Sequence, residues 1–110
     1  MFKVVGLLKR PKGMAIEEFK NWWLKDHAEK VKKWPGLKRY HINLSVTADQ
    51  ECDGMAEGWF ETREAMENVF GTSEGETERQ SASNGSDKLV ILLTEEQVMV
   101  RGLQSLLGLN

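Results

Sequence analysis

His27 is the position whose type and setting most directly suggest chemistry. It falls between Trp23 and Val31 on what reads as the inward face of a helix. Burial there disfavours the charged ring and keeps a neutral imidazole available as a base, a hydrogen-bond partner or a ligand. A buried histidine can equally be structural, satisfied by a backbone carbonyl or by Asp26 or Glu57, because buried polar groups need partners whether or not they catalyse. Glu57 lies between Met55 and Trp59 in a short strand. It is either a carboxyl held in apolar surroundings, with the raised pKa that suits proton transfer, or one half of an ion pair with Lys3 or Arg39. Tyr40 joins an apolar row, where its hydroxyl can face a cavity or bond to the main chain. His41, on the opposite face of the same strand among Arg39 and Asn43, reads as a solvated or subunit-facing residue.

Other reactive chemistries find little support. Two histidines fourteen residues apart and one distant cysteine give no zinc spacing. No phosphate-cradling glycine fingerprint is present, so neither a metal nor a nucleotide cofactor is expected. Cys52 sits between Glu51 and Asp53, an anionic setting that opposes a nucleophilic thiolate.

The elements that must position these residues follow from apolar periodicity. Met1 to Lys9 reads as a central strand, ended by the Arg10-Pro11-Lys12-Gly13 turn signal. From Ala15 to about Lys33, Ile16, Phe19, Trp23, His27, Val31 and Trp34 share one helical face, and Pro35-Gly36 stops the helix. Trp22 falls off that face, where it can rim a pocket, meet a second subunit or simply cover neighbouring side chains. Leu37 to Thr47 alternates as a strand with Tyr40, Ile42, Leu44 and Val46 on its apolar side. Met55 to Glu61 is a shorter strand, with Met55, Glu57 and Trp59 on one side and Ala56, Gly58 and Phe60 on the other; its glycines can admit a group close to the backbone. Thr62 is a candidate N-cap for a helix over Arg63 to Phe70, and Ser73-Glu74-Gly75-Glu76 has capping-box spacing for a short further turn. Gln80 to Asp87, polar and without apolar periodicity, reads as a loop. Leu89 to Leu93 is an apolar strand, followed by a tail with Val98, Val100, Leu103, Leu106 and Leu107.

Strand, helix, strand, strand, helix, strand is the split β-α-β order of an α+β, ferredoxin-like βαββαβ fold: an antiparallel sheet with its helices on one face. The last strand is apolar on both sides, so the second face needs a cover, and a second copy packing sheet to sheet is the economical one.

Composition agrees. The 110 residues, 40% hydrophobic and 29% charged, suit a single ordinary globular domain over 1–110, and one cysteine forms no intrachain disulfide. No apolar run approaches the ~20 residues that cross a bilayer, and no signal-peptide pattern opens the chain. A cytoplasmic protein with no membrane partner is the expectation. From Lys9 to Arg39 ten Lys/Arg face four Asp/Glu, and from Asp49 to Arg79 ten Asp/Glu face two Arg, for a net charge of -2. These halves can pair within the fold or between subunits, and the balance attracts polyanions little, so no nucleic-acid partner is expected. Four tryptophans are much apolar area for one small domain to hide, which again points to a dimer with an apolar pocket.

Several segments together carry a family likeness. Lys3-Val4-Val5-Gly6-Leu7-Leu8-Lys9-Arg10 with Gly13-Met14, Glu18-Phe19, Trp22-Trp23, Asp26-His27-Ala28, Pro35-Gly36-Leu37 with Tyr40, Asp53-Gly54-Met55-Ala56-Glu57-Gly58-Trp59-Phe60 and Thr94-Glu95-Glu96 resemble the EthD family in order and spacing. The resemblance implies a homodimer, its sheets face to face in a dimeric α+β barrel. It also implies a cofactor-independent pocket between sheet and helices for a small apolar, aromatic or lactone-like metabolite. The family is named for ethyl tert-butyl ether degradation, where members accompany a cytochrome P450 oxidation system, and relatives include a methylmuconolactone methylisomerase. The chemistry implied is proton transfer or isomerisation in a degradative or secondary-metabolite pathway. Two alternatives remain: an accessory ligand-binding protein serving an oxidoreductase, or a haem or oxygen-handling barrel with His27 as axial ligand. Carried over by position, His27, Tyr40 and Glu57 are the expected catalytic residues, and Trp22, Trp23, Met55, Trp59 and Phe60 the expected substrate contacts. The chain departs from the family between Glu76 and Lys88, where members carry an aspartate and an aromatic before the last strand; Thr77 to Asp87 is polar and has no aromatic.

Overall fold

The structure, a computed structural model, describes residues 1–47, 50–69, 73–100 and 102, with the backbone alone for 73–78. Strand β1 (Phe2–Lys9) leads through the Pro11–Met14 turn into helix α1, residues 16–31. That helix is α-helical over Ile16–Asn21, π-helical over Trp22–His27 and α-helical again over Ala28–Val31. Positions 19, 23, 27 and 31 would drift around a regular α-helix by about 40° at each step of four residues. The wider π turn takes up that drift, and Phe19, Trp23, His27 and Val31 are all buried. Gly36, at φ +80°, supplies the left-handed turn beyond the helix that a side chain would resist.

Strands β2 (Arg39–Leu44) and β3 (Gly54–Phe60) follow, then helices α2 (Arg63–Asn68) and α3 (Ser73–Asn84), then β4 (Lys88–Glu95). The sheet order is β2-β3-β1-β4 and every pairing is antiparallel. This is the ferredoxin-like arrangement anticipated from the order of elements. Thr62 caps α2 as expected, its hydroxyl accepting from the Ala65 amide at 3.1 Å.

Cross-strand register decides which side chains meet. Tyr40 and Val4 each pair with Gly58, while His41 and Val5 each pair with Glu57. Since side chains alternate along a strand, Val4, Gly58 and Tyr40 lie on the helix-covered face and Val5, Glu57 and His41 on the open one. The covered face holds Val4, Val31, Trp34, Phe60, Met66 and Val69 in one core cluster and Leu8, Phe19 and Trp23 in another.

Two sequence expectations need correction. Strand β2 is shorter than Leu37 to Thr47: its last pair joins Leu44 to Gly54, where β3 begins, and Val46 beyond it is 98% exposed instead of extending the apolar row. The polar stretch after Ser73 is not a single turn followed by a loop, since helix α3 continues to Asn84. Its stability comes from docking rather than from an apolar stripe: Ala82 is buried, Ser81 reaches α1, and the backbone of Gly85 just beyond its end lies against the Trp22 indole. In the described part of the tail Val98, Met99 and Val100 are exposed; Phe70, Leu103, Leu106 and Leu107 lie outside the described residues.

Candidate functional site

The sheet divides the residues expected to form one site. His27 and Tyr40 are on the helix-covered side, where both line an enclosed cavity of about 30 Å³. Its floor is the sheet at Gly6, Ala56 and Gly58, whose small side chains leave the gap, and its walls include Val31, Trp34 and Ile91. His27 is 2% exposed and is the only charged or polar residue in the buried class among the described residues. Its Nδ1 lies 3.1 Å from Ser81 Oγ on α3, and its ring stacks on Trp22 with centroids 4.9 Å apart and planes at 23°. Neither Asp26, which is exposed, nor Glu57, across the sheet, supplies the partner expected from sequence. The Tyr40 hydroxyl is buried, as a cavity-facing phenol should be.

Glu57 belongs to a different constellation on the open face. Lys3 Nζ lies 2.9 Å from Glu57 Oε2 and 3.2 Å from Glu96 Oε2, bridging two carboxylates. Asn43 Nδ2 donates to Glu57 Oε1 at 2.8 Å, and Trp59 Nε1 donates to Glu96. The Lys3 ammonium and Arg39 guanidinium lie 4.9 and 5.2 Å from the centroid of the Trp59 ring, and the His41 ring meets its edge at 5.0 Å. Burial pulls the Glu57 carboxyl upward, but hydrogen bonds from Lys3 and Asn43 and the charges of Lys3 and His41 outweigh it, so its pKa falls below the usual value. Glu96 is also lowered, its burial offset by Lys3 and Trp59, while the Glu57 hydrogen bond raises Lys3 against the opposing pull of burial. Of the two readings of Glu57, the ion pair is present, with Lys3 as its partner. A carboxylate held charged by a lysine is a poor proton donor at neutral pH.

The five expected substrate contacts also divide. Trp22 rims an open cleft of about 1030 Å³ between α1 and α3, with Met14, Asn21 and Gln80 among its neighbours. Trp23 is wholly buried against the backbone of Gly54, and Phe60 is wholly buried in the core. Met55 and Trp59 stand on the open face, away from the cavity. Ser81 is the residue that sequence reasoning missed. It sits in a polar run with no periodicity, and only the docking of that run onto α1 brings it to His27. Among the described residues no cluster of three or more potential metal ligands occurs, and no helix is long and apolar enough to cross a membrane.

Comparison with known proteins gives a consistent picture of the fold. An EthD family protein from Bacillus halodurans C-125 is 22% identical, with a TM-score of 0.79 over 88% of this chain and 99% of its own. A dimeric protein of ferredoxin-like fold from Bacteroides fragilis is 11% identical, with a TM-score of 0.66 over 86% of this chain and 95% of its own. Hydroxynitrile lyase from Passiflora edulis is 11% identical, with a TM-score of 0.69 over 87% of this chain and 94% of its own. No curated protein matches in sequence. The EthD domain matches residues 11–84, about two thirds of the length. That span runs from the turn after β1 to the last residue of α3 and includes His27, Tyr40 and Ser81, and on this match the chain belongs to the EthD domain family.

Proposed function

We propose that the protein binds a small apolar, aromatic or lactone-like metabolite between α1 and the sheet and moves a proton on it without a cofactor, with His27 as acid/base and Tyr40 as the group that orients the ligand. The observation that carries this reading is the placement of His27: a buried imidazole lining an otherwise apolar cavity that it shares with a tyrosine. An imidazole titrates near neutrality and can both take and return a proton, which a proton transfer or isomerisation requires. Glu57 has no part in this reading.

The cavity constrains how a ligand enters. About 30 Å³ is the share of liquid volume of one water molecule, whereas ligand pockets run to about 300–1,000 Å³. Binding must therefore move α1 or α3 outward, and Trp22 and Trp34, one on the cleft and one on the cavity, would report it by fluorescence.

The same reading makes the functional unit a homodimer, joined through the open face. Leu92, 51% exposed, lies beside Val5 on that face, next to the pair of Leu7 and Val90. Solved neighbours described as dimeric share the fold. A lyase of the same fold is compatible with catalysis.

A thermal-shift screen of small aromatic acids, phenols and lactones tests the reading, because a ligand of the native state at 100 times its Kd adds about 2.7 kcal/mol of apparent stability. A hit that stabilises the wild type, fails to stabilise Tyr40→Phe and is turned over by the wild type but not by His27→Gln is the expected result. Turnover undiminished in His27→Gln refutes the catalytic role, and saturable binding with no turnover by the wild type favours the carrier alternative.

A further inference from the structure

Gly6, Gly54 and Gly58 share the covered face of the sheet for different reasons. An added Cβ at Gly54 would lie 2.6 Å from Trp23 Cζ3, and one at Gly58 would lie 3.1 Å from Leu37 Cδ1 and 3.6 Å from Trp34 Cζ3. Those two positions are thinned for the side chains of the core itself. At Gly6 the nearest atom among the described residues is Leu8 Cδ1 at 3.8 Å, an ordinary contact that leaves the space over the backbone open. Nor does the backbone call for glycine there. The left-handed φ values among the described glycines belong to Gly13 and Gly36, and the register on both sides of β1 runs through Gly6 without a bulge. Glycine inside a strand gives up stability relative to alanine, and without a bend or a crowding neighbour it marks a place where a ligand comes close to the chain.

The space over Gly6 belongs to the cavity lined by His27 and Tyr40. Gly6 pairs with Ala56 on β3 and with Ile91 on β4, so the row across the sheet is lowest at its centre. Along β1 the buried side chains of Val4 and Leu8 alternate onto the same face and close the trough at both ends. Its floor is the least movable wall of the cavity, because β1 is paired with β3 from Phe2 to Leu8 and with β4 from Phe2 to Lys9. Room for a ligand therefore comes from the helices, and a guest is selected by how far it lifts α1 from the sheet. Contacts between packed layers weaken sharply within an added ångström of separation. A flat ring laid on the backbone at Gly6 lifts α1 least, whereas a puckered saturated ring, or a methyl group on residue 6, lifts it further.

We infer that Gly6 is the specificity-determining residue of this pocket: it lets a flat ring, aromatic or unsaturated lactone, lie against the backbone of β1 between Val4 and Leu8, and it selects against saturated rings of the same carbon count. The inference rests on the proposed binding of a small metabolite between α1 and the sheet and narrows that metabolite to planar rings.

Benzene and cyclohexane are the probes, equal in carbon number and different in thickness. Titrations followed by proton–carbon NMR read binding through the methyl signals of Val4, Leu8 and Ile91, and thermal melts of the unliganded proteins read stability. The wild type is expected to bind benzene about tenfold more tightly than cyclohexane. Gly6→Ala should melt within about 4 °C of the wild type yet bind benzene about tenfold more weakly, and Gly6→Val should not bind it measurably. Benzene affinity unchanged in Gly6→Ala overturns the inference, as does a wild type that binds neither probe or does not prefer benzene. A Gly6→Ala protein that fails to fold or melts further below the wild type also overturns it, because the fold itself would then require the glycine. The proposed function fails separately: undiminished turnover in His27→Gln removes the catalytic role and leaves the preference for benzene in place. Benzene binding by Gly6→Ala at wild-type affinity removes the role of Gly6 and leaves His27 in place.

Discussion

Replacing Gly54 by alanine should cost the fold far more than the same change at Gly6, although both are strand glycines on the covered face of the sheet. At Gly54 the new Cβ would lie 2.5 Å from the Asn43 carbonyl oxygen and 2.6 Å from Trp23 Cζ3. Neither neighbour can yield cheaply. Asn43 O belongs to the backbone of β2 at the last pairs of the ladder, and Trp23 is 0% exposed with Phe19 packed against it. Overpacking of a filled core costs about 1–3 kcal/mol, and two clashes against unyielding groups place this case near 3. For a domain near 100 residues, about 4 °C of Tm is lost per kcal/mol, so Gly54→Ala should melt about 12 °C below the wild type. At Gly6 the nearest atom to an added Cβ is Leu8 Cδ1 at 3.8 Å, an ordinary contact. Alanine there also restricts the unfolded chain, so its net effect should stay within about 1 kcal/mol. Far-UV circular dichroism melts and urea titrations of the three proteins provide the comparison, with equal m-values showing that only stability has changed. A Gly54→Ala melt within about 3 °C of the wild type would refute the assignment of Trp23 as a packed strut, as would a Gly6→Ala protein equally damaged.

Three further outcomes are expected. The lowered carboxyls of Glu57 and Glu96 contribute stability that is present above their ordinary value of 4.5 and is lost as pH falls through their depressed folded values, because the unfolded chain binds those protons first. Urea unfolding between about pH 6 and pH 3 should therefore fall more steeply for the wild type than for the Glu57→Gln/Glu96→Gln double variant, and parallel curves would sink the network. Thr62→Ala removes the cap on the Ala65 amide and should cost about 1 kcal/mol, about 4 °C in Tm, with Thr62→Ser close to wild type. Leu92→Asp places a charge on the open face beside Val5 and should convert a dimer to monomers in sedimentation velocity; a wild type already monomeric at micromolar concentration would rule out the proposed pairing.

The sequence carried the fold because its strongest signals were long and periodic. Phe19, Trp23, His27 and Val31 mark one face over three turns, and the split β-α-β order left few topologies open. It carried the site only in part. Alternation along each strand showed that Tyr40 and His41 face opposite ways, and likewise Glu57 and Gly58. What alternation within a strand lacks is the register between strands, and the pairing of Gly58 with Tyr40 is what sends Glu57 to the far side. Ser81 was illegible for another reason. Helix α3 is polar, with Ala82 its buried apolar side chain among those described, so no pattern distinguishes it from a loop until α1 is present to receive it. The glycines read correctly as places of close approach, but not what approaches: Trp23 at Gly54, Leu37 and Trp34 at Gly58.

The tryptophans bear differently on assembly than their number suggests. Trp23, Trp34 and Trp59 are 0%, 7% and 6% exposed within one chain, and only Trp22 is half-buried, at the cleft. A single domain hides them by two devices. Trp23 and Trp34 fill the layer between α1 and the sheet, over strand positions thinned to glycine. Trp59 is hidden on the open face itself, beneath Lys3 and Arg39, with its indole nitrogen tied to Glu96. Charged side chains with long apolar stems do there what a second subunit was expected to do. The case for a homodimer therefore shifts from the aromatic residues to the aliphatic ones: Val5, Leu7, Val90 and Leu92 lie together on the open face of the β1–β4 pair. The two halves of that face then have separate roles. The Lys3–Glu57–Glu96–Trp59 corner seals itself, and substitutions there should change stability and its acid dependence more than association. The aliphatic patch does not seal itself, and substitutions there should change association while leaving the melting of an isolated chain nearly unaltered.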